Sequence, residues 1–434
     1  MIRQGDVITL EIKETNMLGN GIAKSDGMVV FCRGAVGGDV VQAVVTDVRK
    51  NFAVADVLNT VFPSPARQEP ACPHAAECGG CAFAGVSYSH ECEVKRAGVA
   101  AAMRREGVRA AVGDLISGSE RGYRNKAVFH FDENGNCGYF AEGTNTFVKI
   151  EKCLICDEKI NIIKNEVQRL AAGCGLAAKD LSYLYIRYMK ETDEASVVLG
   201  YRGGEDLSSF AKELTAAVPC VKGVFRGRGR SPESKDERFE LIAGEERITA
   251  KIAGVDLALS PASFFQVNTS QAQKLCETAV RLAALKDGER AADIYCGAGL
   301  FGLALAKSAP GAEVYGIEIN DDAVRDANRN AERCRVKNAF FLQGDSSELK
   351  SKTGIDSLDV AVVDPPRTGL SKKTIAEIID LSPERIVYVS CNPSTLARDI
   401  KLLSDSYSID EVVGVDMFPR TKHVESVVLM TRLG

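Results

Sequence analysis

The chain has 434 residues, of which 45% are hydrophobic and 26% charged, and its 54 basic and 59 acidic residues give a net charge of -5. A chain of this size buries the cores of about two to four domains. The acidic balance excludes a protein that coats nucleic acid over its whole surface, because that mode of binding requires a basic exterior. Neither a secretory leader nor an apolar run of membrane-spanning length is recognisable, so we expect a cytoplasmic protein with no membrane partner.

The N-terminal residues 1–60 contain the short apolar runs VITLEI, MVVFC, VVQAVVTDV and FAVADVLNT, separated by glycine-rich turns. Short strands at this spacing predict a small OB-like β-barrel. Pro63, Pro65 and Pro70 then interrupt both regular periods and indicate a boundary near residue 60. Residues 61–250 mix strand patterns such as LYIRYM and ASVVLGY with helical patterns such as KINIIKNEVQRLAA, which is typical of an α+β module.

Residues 251–434 alternate the strand patterns ADIY, EVYGIEI, DVAVVD and RIVYVS with amphipathic helical stretches. This alternation predicts a Rossmann-like domain with a parallel sheet and helices on both faces. The whole chain is therefore expected to be a multidomain α/β protein.

Fourteen cysteines in a chain of this length do not form the pattern of a secreted disulfide framework. Cys72, Cys78 and Cys81 are spaced as C-x5-C-x2-C, and Cys153 opens a second pair with Cys156. Three close thiolates and a distant fourth suit an iron–sulfur cluster. The two C-x2-C pairs would equally suit zinc bound by Cys78, Cys81, Cys153 and Cys156.

Two basic stretches are candidates for RNA contacts. Residues 95–126 carry eight basic side chains against three acidic ones, and Lys222–Arg230 carries four basic side chains with glycines that leave the backbone free to follow phosphates. A solvated loop is the alternative interpretation of each stretch.

A glycine turn follows the first strand of the last domain, with G-x-G-x-x-G at Gly297, Gly299 and Gly302, and Glu318 ends the next strand. Such a turn accommodates either a dinucleotide or S-adenosylmethionine, with the glutamate on the ribose. A later strand ends in Asp364-Pro365-Pro366-Arg367, a rigid turn that a dehydrogenase does not need. We therefore favour S-adenosylmethionine.

The strand RIVYVS leads into Cys391, which places a thiol at the same sheet edge. C5 of uracil is too weak a nucleophile to take a methyl group directly, but a thiolate added at C6 makes C5 electron-rich. The C5 proton must then be removed by a base. Glu425, a polar residue before the apolar run VVLM, is our candidate, and His423 is the alternative.

The motifs SPASFFQVN, DIYCGAGLFG, VVDPPRTG, VSCNPSTLARD and KHVESVVLM, with GYRNKAVFHF upstream, follow one another along the chain. In these motifs and their order the chain resembles the RNA (uracil-5-)-methyltransferases, in particular the iron–sulfur branch that acts on 23S ribosomal RNA. The resemblance implies an N-terminal TRAM domain that binds RNA, Cys391 as nucleophile and Glu425 as proton acceptor. It further implies contacts to S-adenosylmethionine from Gln266, Tyr295, Glu318 and Asp364, and a [4Fe-4S] cluster on Cys72, Cys78, Cys81 and Cys153.

Leu300 departs from the family pattern, in which many members carry asparagine after the glycines. Transfer RNA as substrate, cytosine in place of uracil, a non-catalytic iron–sulfur RNA-binding factor and a nicotinamide oxidoreductase remain alternatives. No obligate protein partner is indicated and we expect a monomer.

Overall fold

The computed structural model describes residues 2–234 and 237–434, and it contains no helix in that part of the chain that is long and apolar enough to cross a membrane. The first unit is a six-stranded sheet with the strand order β1-β5-β6-β4-β3-β2. Its strands are β1 Val7–Glu11, β2 Glu14–Thr15, β3 Gly21–Ser25, β4 Met28–Arg33, β5 Val40–Val48 and β6 Phe52–Phe62. Alternate residues such as Val41, Ala43 and Val45 point inward, so one face of the curled sheet forms the core. Four of these strands are those predicted from the sequence.

The middle of the chain forms a seven-stranded sheet with the order β13-β12-β11-β10-β7-β8-β9. Its elements are α1 Ala75–Cys78, α2 Tyr88–Arg105, β7 Lys126–Phe131, β8 Cys137–Phe140, β9 Phe147–Lys149, α3 Glu158–Gly173, β10 Leu181–Met189, β11 Glu194–Tyr201, α4 Ser208–Ala217, β12 Val221–Gly227 and β13 Glu240–Gly244, with a 3-10 turn at Ala178–Asp180. The helices α3 and α4 pack together on one face of this sheet.

The last unit begins with the hairpin β14 Ile248–Ile252 and β15 Val255–Leu259 and contains a second seven-stranded sheet, ordered β18-β17-β16-β19-β20-β22-β21. Its elements are α5 Thr269–Ala283, β16 Arg290–Ile294, α6 Leu300–Ser308, β17 Glu313–Glu318, α7 Asp321–Arg333, β18 Ala339–Gln343, α8 Leu349–Thr353, β19 Val360–Val363, α9 Lys372–Leu381, β20 Arg385–Ser390, α10 Pro393–Leu403, β21 Tyr407–Val415 and β22 Glu425–Arg432.

Six of the seven strands of this sheet run in one direction, and β22 runs antiparallel between β20 and β21. The classical dinucleotide order, 3-2-1-4-5-6, has no inserted strand of this kind. The sequence did not predict β18, so the strand that ends before Asp364 is the fourth parallel strand in chain order and not the third. The AFFLQ run of β18 lies at the sheet edge and lacks a regular apolar alternation.

The prediction that two basic stretches contact RNA is wrong for some of their side chains. Lys95 is fully buried, and its Nζ donates to Glu91 Oε1 and Asp416 Oδ1, each at 2.7 Å, so it faces no solvent. The residues Val221–Gly227 form β12 inside the central sheet, and the buried Arg226 guanidinium donates to backbone oxygens, including that of Tyr201 at 3.2 Å. Strand pairing and internal hydrogen bonds therefore remove these side chains from any RNA surface.

Candidate functional site

The parallel strands β16, β17, β19 and β20 end at one edge of the catalytic sheet, where open α/β sheets hold their ligands. The glycine turn lies at the end of β16, and Gly297 and Gly299 have φ values of 51° and 89°. Gly299 is the N-cap of α6, and a Cβ there would come within 3.0 Å of the Phe341 ring. Close packing of the turn against the sheet therefore requires glycine at this position.

Three carboxylates converge on this turn. Glu318 Oε2 accepts a hydrogen bond from the Gly297 amide at 3.3 Å, and the buried Asp293 Oδ2 accepts one from the Gly302 amide at 2.7 Å. Asp364 follows β19, and its amide donates to Ile294 O at 3.3 Å. Burial raises the pKa of Asp293 to about 7, with the negative charges of Asp364 and Glu318 adding to the effect.

Burial also raises the pKa of Asp364 to about 7. A crevice with three acids disfavours the pyrophosphate of a dinucleotide and favours a cationic ligand such as a sulfonium with an ammonium group. The geometry therefore separates the two ligands that the glycine motif alone left open.

Tyr295 and Gln266, both expected to contact the methyl donor, lie after β16 and in the loop before α5. Tyr295 has a φ of 70°, and its hydroxyl accepts from Ser346 Oγ at 2.9 Å, which holds the half-buried ring beside the glycine turn. Gln266 lies in the 260–268 loop, where its carbonyl accepts from Asn125 Nδ2 at 3.0 Å. The same loop is held by the buried Arg187, which donates to Ser260 O at 3.0 Å and to Ser263 O at 2.7 Å.

Cys391 and Glu425 meet at the end of two antiparallel strands. Ser390 of β20 pairs with Ser426 of β22, so the next opposed positions are Cys391 and Glu425. Cys391 is half-buried, and Glu425 is only 3% exposed. The strand register therefore brings the predicted nucleophile and the predicted base together.

The electrostatics of the pair follow from its burial. Desolvation raises the pKa of Cys391 to about 11, with Glu425 and Asp364 adding to the rise and Arg367 opposing it. Burial likewise raises the pKa of Glu425 well above its usual value, again with Asp364 adding and Arg367 opposing. A carboxyl group with a raised pKa is a stronger proton acceptor once it is ionised.

Hydrogen bonds link the two loops that carry Asp364 and Cys391. Asn392 caps α10 and donates through Nδ2 to Arg367 O at 3.0 Å. The buried Asp399 of α10 accepts from the Leu370 amide at 2.7 Å and from the Tyr388 hydroxyl at 2.8 Å. These bonds fix the distance between the thiol and the Asp-Pro-Pro turn.

His423, the alternative base, lies close to Arg367, with His423 Nδ1 at 3.4 Å from Arg367 Nη2. Burial, together with the charges of Arg367 and Lys422, lowers the pKa of His423 to about 4. Its imidazole is neutral at pH 7 but a far weaker proton acceptor than Glu425, which makes Glu425 the better candidate.

The four cysteines expected to bind a cluster, Cys72, Cys78, Cys81 and Cys153, line one cavity of about 210 Å³. Cys156 is not among the lining residues; it is buried, and its Sγ lies 3.9 Å from the Tyr139 hydroxyl. Across residues 2–234 and 237–434, no group of three or more His, Cys, Asp or Glu side chains is arranged to hold a metal ion.

The segment that precedes Glu425 contributes one side chain to the cysteine-lined cavity. Arg420 lines it, and the Arg420 guanidinium donates to Phe83 O at 3.1 Å and to Val86 O at 2.6 Å. The Arg420 amide donates to Glu91 Oε1 at 2.7 Å.

Sequence reasoning named eight residues for this site. Tyr295, Gly297 and Gly299 follow β16, Glu318 ends β17, Asp364 follows β19, and Cys391 follows β20 opposite Glu425, whereas Gln266 lies in the 260–268 loop. Their roles stay predictions. Sequence reasoning did not single out Asp293, Arg187 or Asp399 as residues that hold the site together. A charged residue within an apolar strand was the available signal for Asp293 and Arg187, because such residues are rarely buried without a function or a partner.

The sheet with its inserted antiparallel strand, its glycine turn and its acidic crevice defines a methyltransferase that uses S-adenosylmethionine. Residues 87–433 match the model of the tRNA (Uracil-5-)-methyltransferase family, and residues 3–58 match that of the TRAM domain. The chain therefore belongs to the RNA (uracil-5-)-methyltransferases, as the sequence motifs predicted, and S-adenosylmethionine is its methyl donor.

Individual relatives agree with this assignment. An uncharacterized RNA methyltransferase of Halalkalibacterium halodurans is 34% identical over 450 residues, covering 99% of this chain and 98% of the relative. One of Synechocystis is 32% identical and covers 99% of this chain and 96% of the relative. Among solved structures, the Pyrococcus abyssi tRNA (uracil-54, C5)-methyltransferase in complex with S-adenosyl-L-homocysteine is 28% identical with a TM-score of 0.79, covering 98% of this chain and all of that one.

Proposed function

We propose that the protein methylates C5 of a specific uridine in 23S ribosomal RNA, with Cys391 as nucleophile and Glu425 as base. The observation that carries this proposal is the opposed position of these two side chains at the edge of the acidic crevice. The Cys391 thiolate adds to C6 of the uracil, which leaves an enolate with its electron density at C5. S-adenosylmethionine would supply the methyl group: C5 takes it as the sulfonium S–CH3 bond breaks, and S-adenosylhomocysteine leaves with that electron pair. Glu425 then takes the C5 proton, and the Cys391 sulfur leaves C6 as a thiolate.

A 5-fluorouridine-containing RNA tests this mechanism, because fluorine at C5 cannot be removed as a proton and the adduct cannot collapse. Incubation with S-adenosylmethionine is expected to give a covalent RNA–protein complex in which mass spectrometry locates the link at Cys391. The Cys391→Ser variant is expected to give none, and Cys174→Ser, at a half-buried thiol of the central unit, is expected to behave like the wild type. A link at another residue would contradict the proposal.

A transfer RNA is the second candidate substrate, since the solved neighbour with the TM-score of 0.79 is a tRNA methyltransferase. Methylation of unmodified 23S rRNA and tRNA transcripts side by side decides between them. The crevice is completed within one chain, so we further propose that a monomer is active, with domains at residues 1–60, 61–250 and 251–434.

We also propose that Cys72, Cys78, Cys81 and Cys153 hold a [4Fe-4S] cluster. The shared cavity of about 210 Å³ supports a cluster more than a zinc ion, which needs far less space. Cys72→Ser is expected to lose iron and acid-labile sulfide, whereas Cys156→Ser is expected to keep both. The opposite result, with zinc in the purified protein, would favour the alternative set that includes Cys156.

A further inference from the structure

The β7–β9 border of the central sheet carries three neighbouring rings, His130, Phe140 and Phe147, which we call the aromatic edge. The helices α3 and α4 cover one face of this sheet, where Phe129 and Leu184 are buried. His130 of β7 pairs with Gly138, and Phe140 of β8 pairs with Phe147 of β9. Side chains two residues apart or directly opposed share a sheet face, so all three rings lie on the face opposite α3 and α4. Nearer the centre of the sheet this face is buried, at Tyr183 and Tyr185, so the rings are at its border.

The three rings form one continuous surface. The ring centroids of His130 and Phe140 are 4.8 Å apart, and those of Phe140 and Phe147 are 6.2 Å apart. A Cβ on Gly138 would lie 2.6 Å from the Phe147 ring, so glycine is needed to let this ring lie over the strand. Phe140 remains 44% exposed although it is a large apolar side chain.

Two lysines lie on the same face as these rings. Lys149 pairs with Gly138 and is exposed. At the other end of β7, Lys126 is half-buried with its Nζ 5.9 Å from the centre of the Tyr185 ring, whereas its neighbour Arg187 is buried against the 260–268 loop. Aromatic rings flanked by cations are the means by which proteins hold unpaired nucleotides, because bases stack on the rings and phosphates attract the cations.

The strand β7 connects this surface to the catalytic crevice. Asn125, directly before it, donates through its amide to Val267 O at 2.8 Å and through Nδ2 to Gln266 O at 3.0 Å. From Lys126 to His130 the strand rises about 13 Å, which corresponds to roughly two to four nucleotides of an RNA strand.

We propose that the aromatic edge stacks the bases of a single-stranded stretch of the substrate RNA that adjoins the uridine held in the crevice. This inference rests on the proposed function for the position of that uridine. It assigns RNA binding to a surface outside the TRAM domain and outside the basic stretches predicted from sequence.

Binding of a fluorescein-labelled oligouridine, followed by fluorescence anisotropy without methyl donor, tests the inference. Phe140→Ala is expected to weaken binding about tenfold or more, the effect of losing one stacked base. Phe140→Leu keeps an apolar side chain but not the ring and is expected to weaken binding similarly, whereas Phe140→Tyr restores it. The matched control is Phe340→Ala, since Phe340 is 43% exposed on β18 of the catalytic sheet and is expected to have no effect.

The same oligouridine with 4-thiouridine is expected to cross-link on irradiation to peptides that contain Phe140 or Phe147. Equal affinity of the wild type and Phe140→Ala, cross-links confined to other surfaces, or no measurable binding by the wild type would overturn the inference. So would a change in sedimentation of Phe140→Ala without a change in RNA binding, because the surface would then belong to a second copy of the chain. If RNA binding depends on the Phe140 ring but no 5-fluorouridine adduct forms, the inference about this surface holds and the proposed function is contradicted.

Discussion

Cys391 and Glu425 occupy the first opposed positions beyond the last hydrogen-bonded pair, Ser390 and Ser426, of two antiparallel strands. This arrangement exists because β22 runs against β20, which brings the start of β22 to the edge where β20 ends. A parallel strand would have placed Glu425 at the opposite edge of the sheet. The direction of one strand therefore decides whether the proposed nucleophile has a candidate base beside it.

Replacement of Glu425 by glutamine is expected to slow turnover by about 10²- to 10⁴-fold, the usual contribution of a general base. The methylated adduct should accumulate, since the thiol adds but the C5 proton stays. A denaturing gel of enzyme with natural RNA and S-adenosylmethionine would show the adduct as a shifted band. Glu411→Gln, on the neighbouring strand and paired with Arg281 at 2.8 Å, is the control and should turn over normally.

Replacement of Asp364 by asparagine is expected to lower the pKa of Cys391, because the Asp364 charge helps to raise it to about 11. Below that pKa the thiolate fraction, and with it the rate of alkylation, rises about tenfold per pH unit. Asp364 itself has a pKa near 7, so the variant should be alkylated several-fold faster above pH 7 and at the wild-type rate below about pH 6. Mass spectrometry of the Cys391 peptide gives the rate, and identical rates at pH 8 would refute this reasoning.

Replacement of Asp293 by asparagine is expected to stabilise the ligand-free protein at neutral pH. Burial raises the Asp293 pKa from 3.8 to about 7, so its contribution to stability falls as pH rises through this range and stays unfavourable above it. The asparagine oxygen still accepts from Gly302. The gain should reach at most about 4 kcal/mol at pH 8 and vanish below pH 4. Urea unfolding at the two pH values measures it, and a loss of stability at pH 8 would contradict the prediction.

Replacement of Lys95 by methionine is expected to destabilise the protein by about 3–5 kcal/mol, because it leaves the buried Asp416 without its cation and Glu91 with only Arg420. Glu91 and Asp416 each accept from Lys95 Nζ at 2.7 Å and are themselves fully buried. The urea midpoint reports the change, with Lys401→Met on the exposed side of α10 as control. A variant as stable as the wild type would show that water reaches these acids.

Cofactor binding provides a further check on the acidic crevice. S-adenosylmethionine at a hundredfold excess over its dissociation constant should add about 2.7 kcal/mol of stability, and NADH should add none because its pyrophosphate meets the acidic side chains of Glu318 and Asp364. Glu318→Gln should reduce the response to S-adenosylmethionine, which thermal unfolding detects. Stabilisation by NADH equal to that by S-adenosylmethionine would contradict the electrostatic argument.

The sequence by itself determined the chemistry at each strand end. The glycine turn, the Asp-Pro-Pro turn and the thiol after RIVYVS are local features, because turn geometry depends on neighbouring residues and parallel strands always end at one edge. These local patterns were sufficient to predict the methyl donor, the nucleophile and the family.

Only the tertiary structure decided what depends on packing between distant segments. The insertion of β22 set Glu425 beside Cys391, the pairing of β12 buried Arg226, and the network around Asp416 buried Lys95. It also gathered Cys72 and Cys153 around one cavity and left the Phe140 ring uncovered. Burial and strand order result from long-range contacts, which no pattern within a short stretch of residues encodes.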